Sequence, residues 1–154
     1  MGIFRGQGAT EYLVLLAVVL IVALVSVALL GFFPGMASDA RITQSQTYWR
    51  GQARPFAILD VSFGATSATL SVQNMEANGP YNLTNISING VGSATSTLFA
   101  AGAVQTITYT GTPVPTCVTG SGTIYDYNVT ISYNTPTGIA SKQYGAKNLI
   151  GRCM

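Results

Sequence analysis

From Leu13 to Phe33 the chain reads LVLLAVVLIVALVSVALLGFF, with no charged side chain and one hydroxyl, Ser26. At about 1.5 Å per residue, a helix over this run is roughly 31 Å long, close to the thickness of the hydrocarbon core of a bilayer. The apolar residues fall on every face, which excludes the one-sided pattern of a surface helix in a soluble domain. Val and Ile lower helix propensity in water. Inside lipid the backbone must satisfy its own hydrogen bonds, and a lone segment does so only as a helix. The run therefore predicts a membrane-spanning helix, and everything else in the chain must be arranged around it.

Charge is scarce elsewhere too: 8% of the 154 residues are Asp, Glu, Lys or Arg, against roughly 25% in a typical soluble protein. Uncharged polar side chains, sugars or subunit partners must cover the surface instead. The net charge of +2 is spread over Arg5, Arg41, Arg50, Arg54, Lys142, Lys147 and Arg152 without a basic run, so nucleic acid is not an expected partner. Arg5, ahead of the apolar run, points to a cytoplasmic amino terminus with the bulk of the chain outside, although Arg41 flanks the other end. Histidine is absent, and the five acids, Glu11, Asp39, Asp60, Glu76 and Asp126, are far apart in sequence. General acid–base chemistry and transition-metal binding lean on histidine and clustered acids, so neither an enzyme nor a metal or other cofactor is expected. Cys117 and Cys153 are the two cysteines and admit one pairing. A disulfide outside the cytoplasm is the favoured reading, and two buried thiols are the alternative.

Pro34 and Gly35 mark a place where the helix kinks or ends. The following stretch, MASDARITQSQTYWR, suits a further helix with Asp39 near its start and Arg50 near its end, a stalk between membrane segment and head. From Pro55 the pattern changes. FAILDVSF, ATLSVQN, YNLTNISING, AVQTITYTG, GTIYDYNVTISYN and GIASKQYGAKNLI are rich in Val, Ile, Thr and Tyr and are separated by Gly, Pro, Asn and Ser. They predict an antiparallel β-sandwich of about six or seven strands. Tyr125, Tyr127, Val129, Ile131 and Tyr133 alternate with Asp126, Asn128, Thr130 and Ser132, so one continuous strand with two distinct faces is expected there. The fold class is thus α+β: a long N-terminal hydrophobic helix followed by an all-β antiparallel sandwich head. Asn82, Asn85 and Asn128 begin Asn-x-Ser/Thr triplets, read either as N-glycosylation acceptors or as ordinary polar strand and turn residues.

An ordinary secretory signal ends in a cleavage site after its apolar core. Here Arg5-Gly6 and the polar QGATE stretch precede the long apolar run. With Gln7 and Glu11-Tyr12 in a Q-x-x-x-E-Y arrangement, the stretch from Arg5 to Phe33 resembles the archaeal type IV pilins, whose class III signal peptides carry this motif. The β-rich remainder agrees in architecture alone. The resemblance implies cutting between Gly6 and Gln7 by a membrane-embedded prepilin peptidase. It divides the chain into a leader (1–6), a transmembrane and filament-core helix (7–34), a stalk (35–54) and an extracellular head (55–154). It further implies a membrane-held prepilin that a cytoplasmic assembly ATPase and a platform membrane protein draw out into a helical homopolymer, an extracellular pilus for surface adhesion. Glu11 then pairs with the new amine of Gln7, in its own chain or a neighbour's, and sets the axial register between subunits. Alternatively it only marks the helix start, where a negative charge suits the dipole. Two other functions remain open. One is a membrane-anchored pilin-like adhesin or ligand-binding module, with Trp49, Tyr109, Tyr125, Tyr127 and Tyr133 lining a site or, as is commoner, the core. The other is the archaellin of the motility filament.

Overall fold

The computed structural model describes residues 7–64, 67–109, 117 and 122–153. One helix, α1, runs from Gln7 to Thr47, and the chain divides into two compact units, the first ending at Ala40 and the second beginning at Arg41. No helix break is assigned at residues 34–35; the stretch beyond, with Ala37, Ala40, Arg41, Gln44 and Gln46, has good helix formers to continue it. Polar side chains inside the helix are satisfied locally: Ser26 donates to the carbonyl of Val22 at 2.8 Å and Thr47 to that of Thr43 at 2.9 Å.

The stalk expected at 35–54 is not a separate element in its second half. Its last residues belong to the second unit, where Ser45, Trp49 and Ala53 are almost fully buried. Ser45 Oγ donates to the carbonyl of Asn148 (2.7 Å) and accepts from the N–H of Ile150 (2.9 Å), so the buried hydroxyl uses both its donor and an acceptor position. The helix closes in a π-helical turn, Tyr48–Gln52, with the N–H of Ala53 reaching back five residues to Tyr48. The Trp49 indole then lies against Gly145, where a Cβ would come within 2.5 Å of the ring.

Among the described residues the second unit holds nine antiparallel strands: β1 (Phe56–Phe63), β2 (Ala68–Asn74), β3 (Tyr81–Ile88), β4 (Val91–Phe99), β5 (Val104–Tyr109), β6 (Ile124–Tyr127), β7 (Val129–Asn134), β8 (Ala140–Tyr144) and β9 (Leu149–Arg152). They form a three-stranded sheet β1-β2-β5, a four-stranded sheet β4-β3-β7-β8 and the pair β6-β9. The expected run from Tyr125 to Tyr133 keeps its two-residue alternation of burial but is cut at Asn128 into β6 and β7, which belong to different sheets. Asn89 holds that crossing: its side-chain Oδ1 accepts from the N–H of Asn128 and its own N–H donates to the Asn128 carbonyl, at 3.1 and 2.9 Å. Asn89 and Gly90, both at positive φ, make the tight turn from β3 to β4, in the backbone region that Asn tolerates and Gly adopts freely.

The inward faces of the three- and four-stranded sheets share one core with the β6-β9 pair. Leu70 and Val72 of β2, Leu83, Ile86 and Ile88 of β3, and Val129 and Ile131 of β7 are buried together. Phe56 stands edge-on to Phe99, Tyr133 and Tyr81, with ring centroids 5.2, 5.6 and 6.3 Å away. Two buried amides tie one sheet to the other. Gln143 of β8 accepts from the N–H of Phe56 (2.9 Å) and donates to its carbonyl (2.8 Å), as a neighbouring strand would. Asn74 of β2 donates to the carbonyls of Phe99 and Ala100 and accepts from the N–H of Glu76. Strands β2, β3, β4, β5 and β7 contain no charged residue.

Candidate functional site

The first unit offers an apolar exterior with one acid at its beginning. Glu11 is exposed one turn into α1 and, with Thr10, Val14 and Leu15, lines a shallow groove on the helix. Beyond it, fifteen large side chains from Tyr12 to Leu30 are at least 43% exposed, and they cover the full circumference. Burying a Val or Leu side chain is worth about 1.5–3 kcal/mol, so this helix in water forgoes stabilisation on the order of 10 kcal/mol or more. It is long and apolar enough to cross a membrane. Gln7 opens α1 and so lies one helical turn before Glu11. Gly6, the other residue of the expected cleavage site, lies outside the described residues.

In the second unit Cys117 and Cys153 form a disulfide, with Cα atoms 5.4 Å apart, joining the end of β9 to the segment between β5 and β6. Both cysteines are buried. Val61, Phe63 and Tyr125 line the same small recess. Phe63 meets Tyr125 and Tyr127 edge-on at 4.8 and 5.2 Å, and the two tyrosines stack at 5.4 Å. Burial, with Asp60 and Tyr127 nearby, pushes the Tyr125 hydroxyl up to about 12. Trp49, Tyr109 and Tyr125 are buried, and Tyr127 and Tyr133 pack against the same core. The aromatic residues considered for a ligand site are therefore structural.

No protein-family model matches the chain, and no curated protein matches its sequence. What the chain can do is read from its own two units.

The three candidate glycosylation asparagines stand in different surroundings. Asn82 and Asn85 lie on β3, which is paired on both sides by β4 and β7, and both are half-buried. Asn128 is exposed at the break between β6 and β7. Sequence reading missed a polar cleft of about 270 Å³ lined by Arg41, Gln44, Asp126, Lys147 and Asn148 among others. Arg41 pairs with Asp126 at 2.6 Å, and the Asn148 side chain donates to the other carboxylate oxygen at 2.7 Å. These five residues come from three separate stretches of the chain, around 41–44, at 126 and at 147–148, so nothing in their spacing signalled this cluster. Among the described residues, no three His, Cys, Asp or Glu side chains are grouped to hold a metal ion.

Proposed function

We propose that the chain is the structural subunit of an extracellular filament of the archaeal type IV pilus kind, polymerising through α1 and serving surface adhesion. The observation that carries this reading is the all-round apolar exposure from Tyr12 to Leu30, entered through a single carboxylate at Glu11. A helix apolar on every face needs an apolar environment on every face. Lipid supplies it before assembly, and other copies of the same helix supply it afterwards.

In this reading a prepilin peptidase cuts between Gly6 and Gln7, and an assembly ATPase with a platform membrane protein extracts the helix from the bilayer. The charged amine of Gln7 then meets Glu11 of its own or a neighbouring chain. Smooth Val and Leu surfaces do not distinguish one axial offset from the next, whereas an enclosed ion pair does, because an unpaired partner is costly in low dielectric. The disulfide supports a head in an oxidising compartment, outside the cell. The reading as an anchored ligand-binding module has lost its aromatic candidates to the core.

Filaments sheared from the cell surface and imaged by electron microscopy test the proposal together with the intact mass of their protein. A mass beginning at Gln7 is expected. Filament protein beginning at Met1, or an absence of this chain from every filament fraction, overturns it. Deletion of the chain that abolishes swimming but leaves adhesive filaments intact would assign it to the motility filament instead.

A further inference from the structure

We propose that Asn128 is the N-glycosylated residue of the head, and that its first sugar rests on the exposed ring of Tyr144. The inference requires export of the head but not its polymerisation.

The folded sheet discriminates among the three candidates whenever modification takes place, because the finished fold must accommodate the sugar. The Oδ1 atom of Asn82 is buried and without a hydrogen-bond partner. The Asn85 amide lies over Gly92 of β4, so close that a Cβ there would come 2.9 Å from Nδ2 and 3.1 Å from Oδ1. The Asn85 amide is thus packed down on β4, where a pyranose ring on its nitrogen would have to lift it, and the half-buried Asn82, with its oxygen enclosed, leaves less room for a sugar than an exposed side chain does. Asn128 is exposed instead, and its main-chain N–H and carbonyl are already engaged by Asn89. Its side chain is not needed to hold the crossing between sheets.

Tyr144 supplies the second observation. It is 70% exposed, while the other aromatic residues described in the second unit are buried or half-buried. In the β7-β8 ladder Tyr144 is the direct partner of Thr130, the hydroxyl residue of the Asn128 triplet, so both side chains stand on one face. The N–H of Gly145 donates to the carbonyl of Val129 at 3.0 Å, extending the pairing to the middle of the triplet. Asn128 stands two residues before Thr130, just outside this ladder and beside the end of it where Tyr144 stands. The ring face of Tyr144 is the flat apolar surface that the C–H face of a pyranose covers, and its hydroxyl stays in water.

The covalent step takes its sugar from a lipid-linked phosphate or diphosphate donor. The Asn128 amide nitrogen forms a bond to the anomeric carbon, the bond from that carbon to the phosphate oxygen breaks, and the phosphate leaves with the electron pair. The displaced amide proton passes to base, so the step is redox-neutral.

Glycopeptide mass spectrometry of the protein isolated from the surface of its own cells tests the proposal. Carbohydrate is expected on the Asn128 peptide, with the peptides of Asn82 and Asn85 unmodified, and both Asn128→Gln and Thr130→Ala should remove it. Sugar on Asn82 or Asn85, or an unmodified Asn128 in exported chains, overturns the proposal and leaves the filament reading untouched. For Tyr144, the Tm difference between the glycosylated protein and Asn128→Gln is the measure. A shift of about 2–4 °C, as expected for a modest stabilisation, should vanish in the Tyr144→Ala background and persist in Tyr144→Phe. An equal shift in all three backgrounds overturns the sugar–tyrosine contact.

Discussion

Leu20, on the helix, is 55% exposed, whereas Leu70, in the middle of β2, is wholly buried. The same side chain therefore has two different uses in one molecule. In the second unit, leucine and its neighbours are covered by their own chain, and the stability they contribute belongs to the folded monomer. In the first unit they are left for something else to cover, lipid or other helices, and their free energy becomes available only on insertion or association. In the filament reading proposed above, a helix whose burial is not finished by its own chain lets the subunit pass from lipid to polymer without refolding.

The sharpest way to break this comparison is at Glu11. If it neutralises the Gln7 amine among packed helices, Glu11→Leu leaves a charge unpaired in low dielectric, at a cost of roughly 3–5 kcal/mol per subunit. Leader cleavage and membrane insertion should stay normal while filaments disappear from electron micrographs of sheared material. Abundant filaments would reduce Glu11 to a marker of the helix start. Next in size is the disulfide, which belongs wholly to the head. Its two cysteines are 36 residues apart, and the chain-entropy model gives about 3.5–4 kcal/mol for a loop of that size. Replacing both cysteines with serine should lower the urea midpoint of the head and leave insertion of the helix unchanged.

Matched substitutions probe the contrast directly. Leu70→Ala should destabilise the head by roughly 3 kcal/mol through the cavity it opens. Leu20→Ala should leave head unfolding unaltered and weaken only assembly. Equal loss of head stability from both would refute the division of labour.

Tyr125 offers a pH test confined to the head. Its hydroxyl is raised to about 12 from an ordinary 10.0, so the folded form resists ionisation while the unfolded chain does not. Below pH 10 this residue contributes no pH dependence. As pH climbs from 10 toward 12 its contribution to stability is lost, and Tyr125→Phe should flatten that part of an alkaline unfolding curve. Smallest of all is Arg41→Ala. The ion pair with Asp126 is exposed, and such pairs contribute about 0–1 kcal/mol, so a measured loss in the lower half of that range is expected.

The helix was legible because nothing in Leu13 to Phe33 competes with it, and the strand-rich head because its Val, Ile and Tyr runs are bounded by turn residues. Strand β4 was not legible. Its sequence, VGSATSTLF, has Gly92, Ala94, Ser96 and Leu98 on its exposed face, and the run of small residues reads as a loop until β3 pairs with it through the Asn89-Gly90 turn. The break at Asn128 was hidden for the opposite reason, since the alternation of buried and exposed residues continues across it from β6 into β7. Gln143 is one polar residue among several in GIASKQYGAKNLI, and nothing in that stretch marks it out. Its role depends on the Phe56 backbone, 87 residues away in sequence. The pairing of the cysteines was legible by count alone. The surroundings of Asn82, Asn85 and Asn128 were not, because a triplet specifies neither strand position nor depth.

The absence of charge from β2, β3, β4, β5 and β7 has a consequence for the medium in which the head works. Salt acts on a protein surface largely by screening, and acid acts by protonating carboxylates. Faces built from Ser, Thr, Asn and Gln offer little for either to act upon. Their hydration rests on hydroxyls and amides, whose hydrogen bonding is the same in brine as in fresh water and across the pH range in which carboxylates titrate. These five strands should therefore keep one surface chemistry through swings in salinity and acidity that would recharge an ordinary protein coat, leaving Asp60 of β1 and Lys142 of β8 as the groups in the three- and four-stranded sheets that respond.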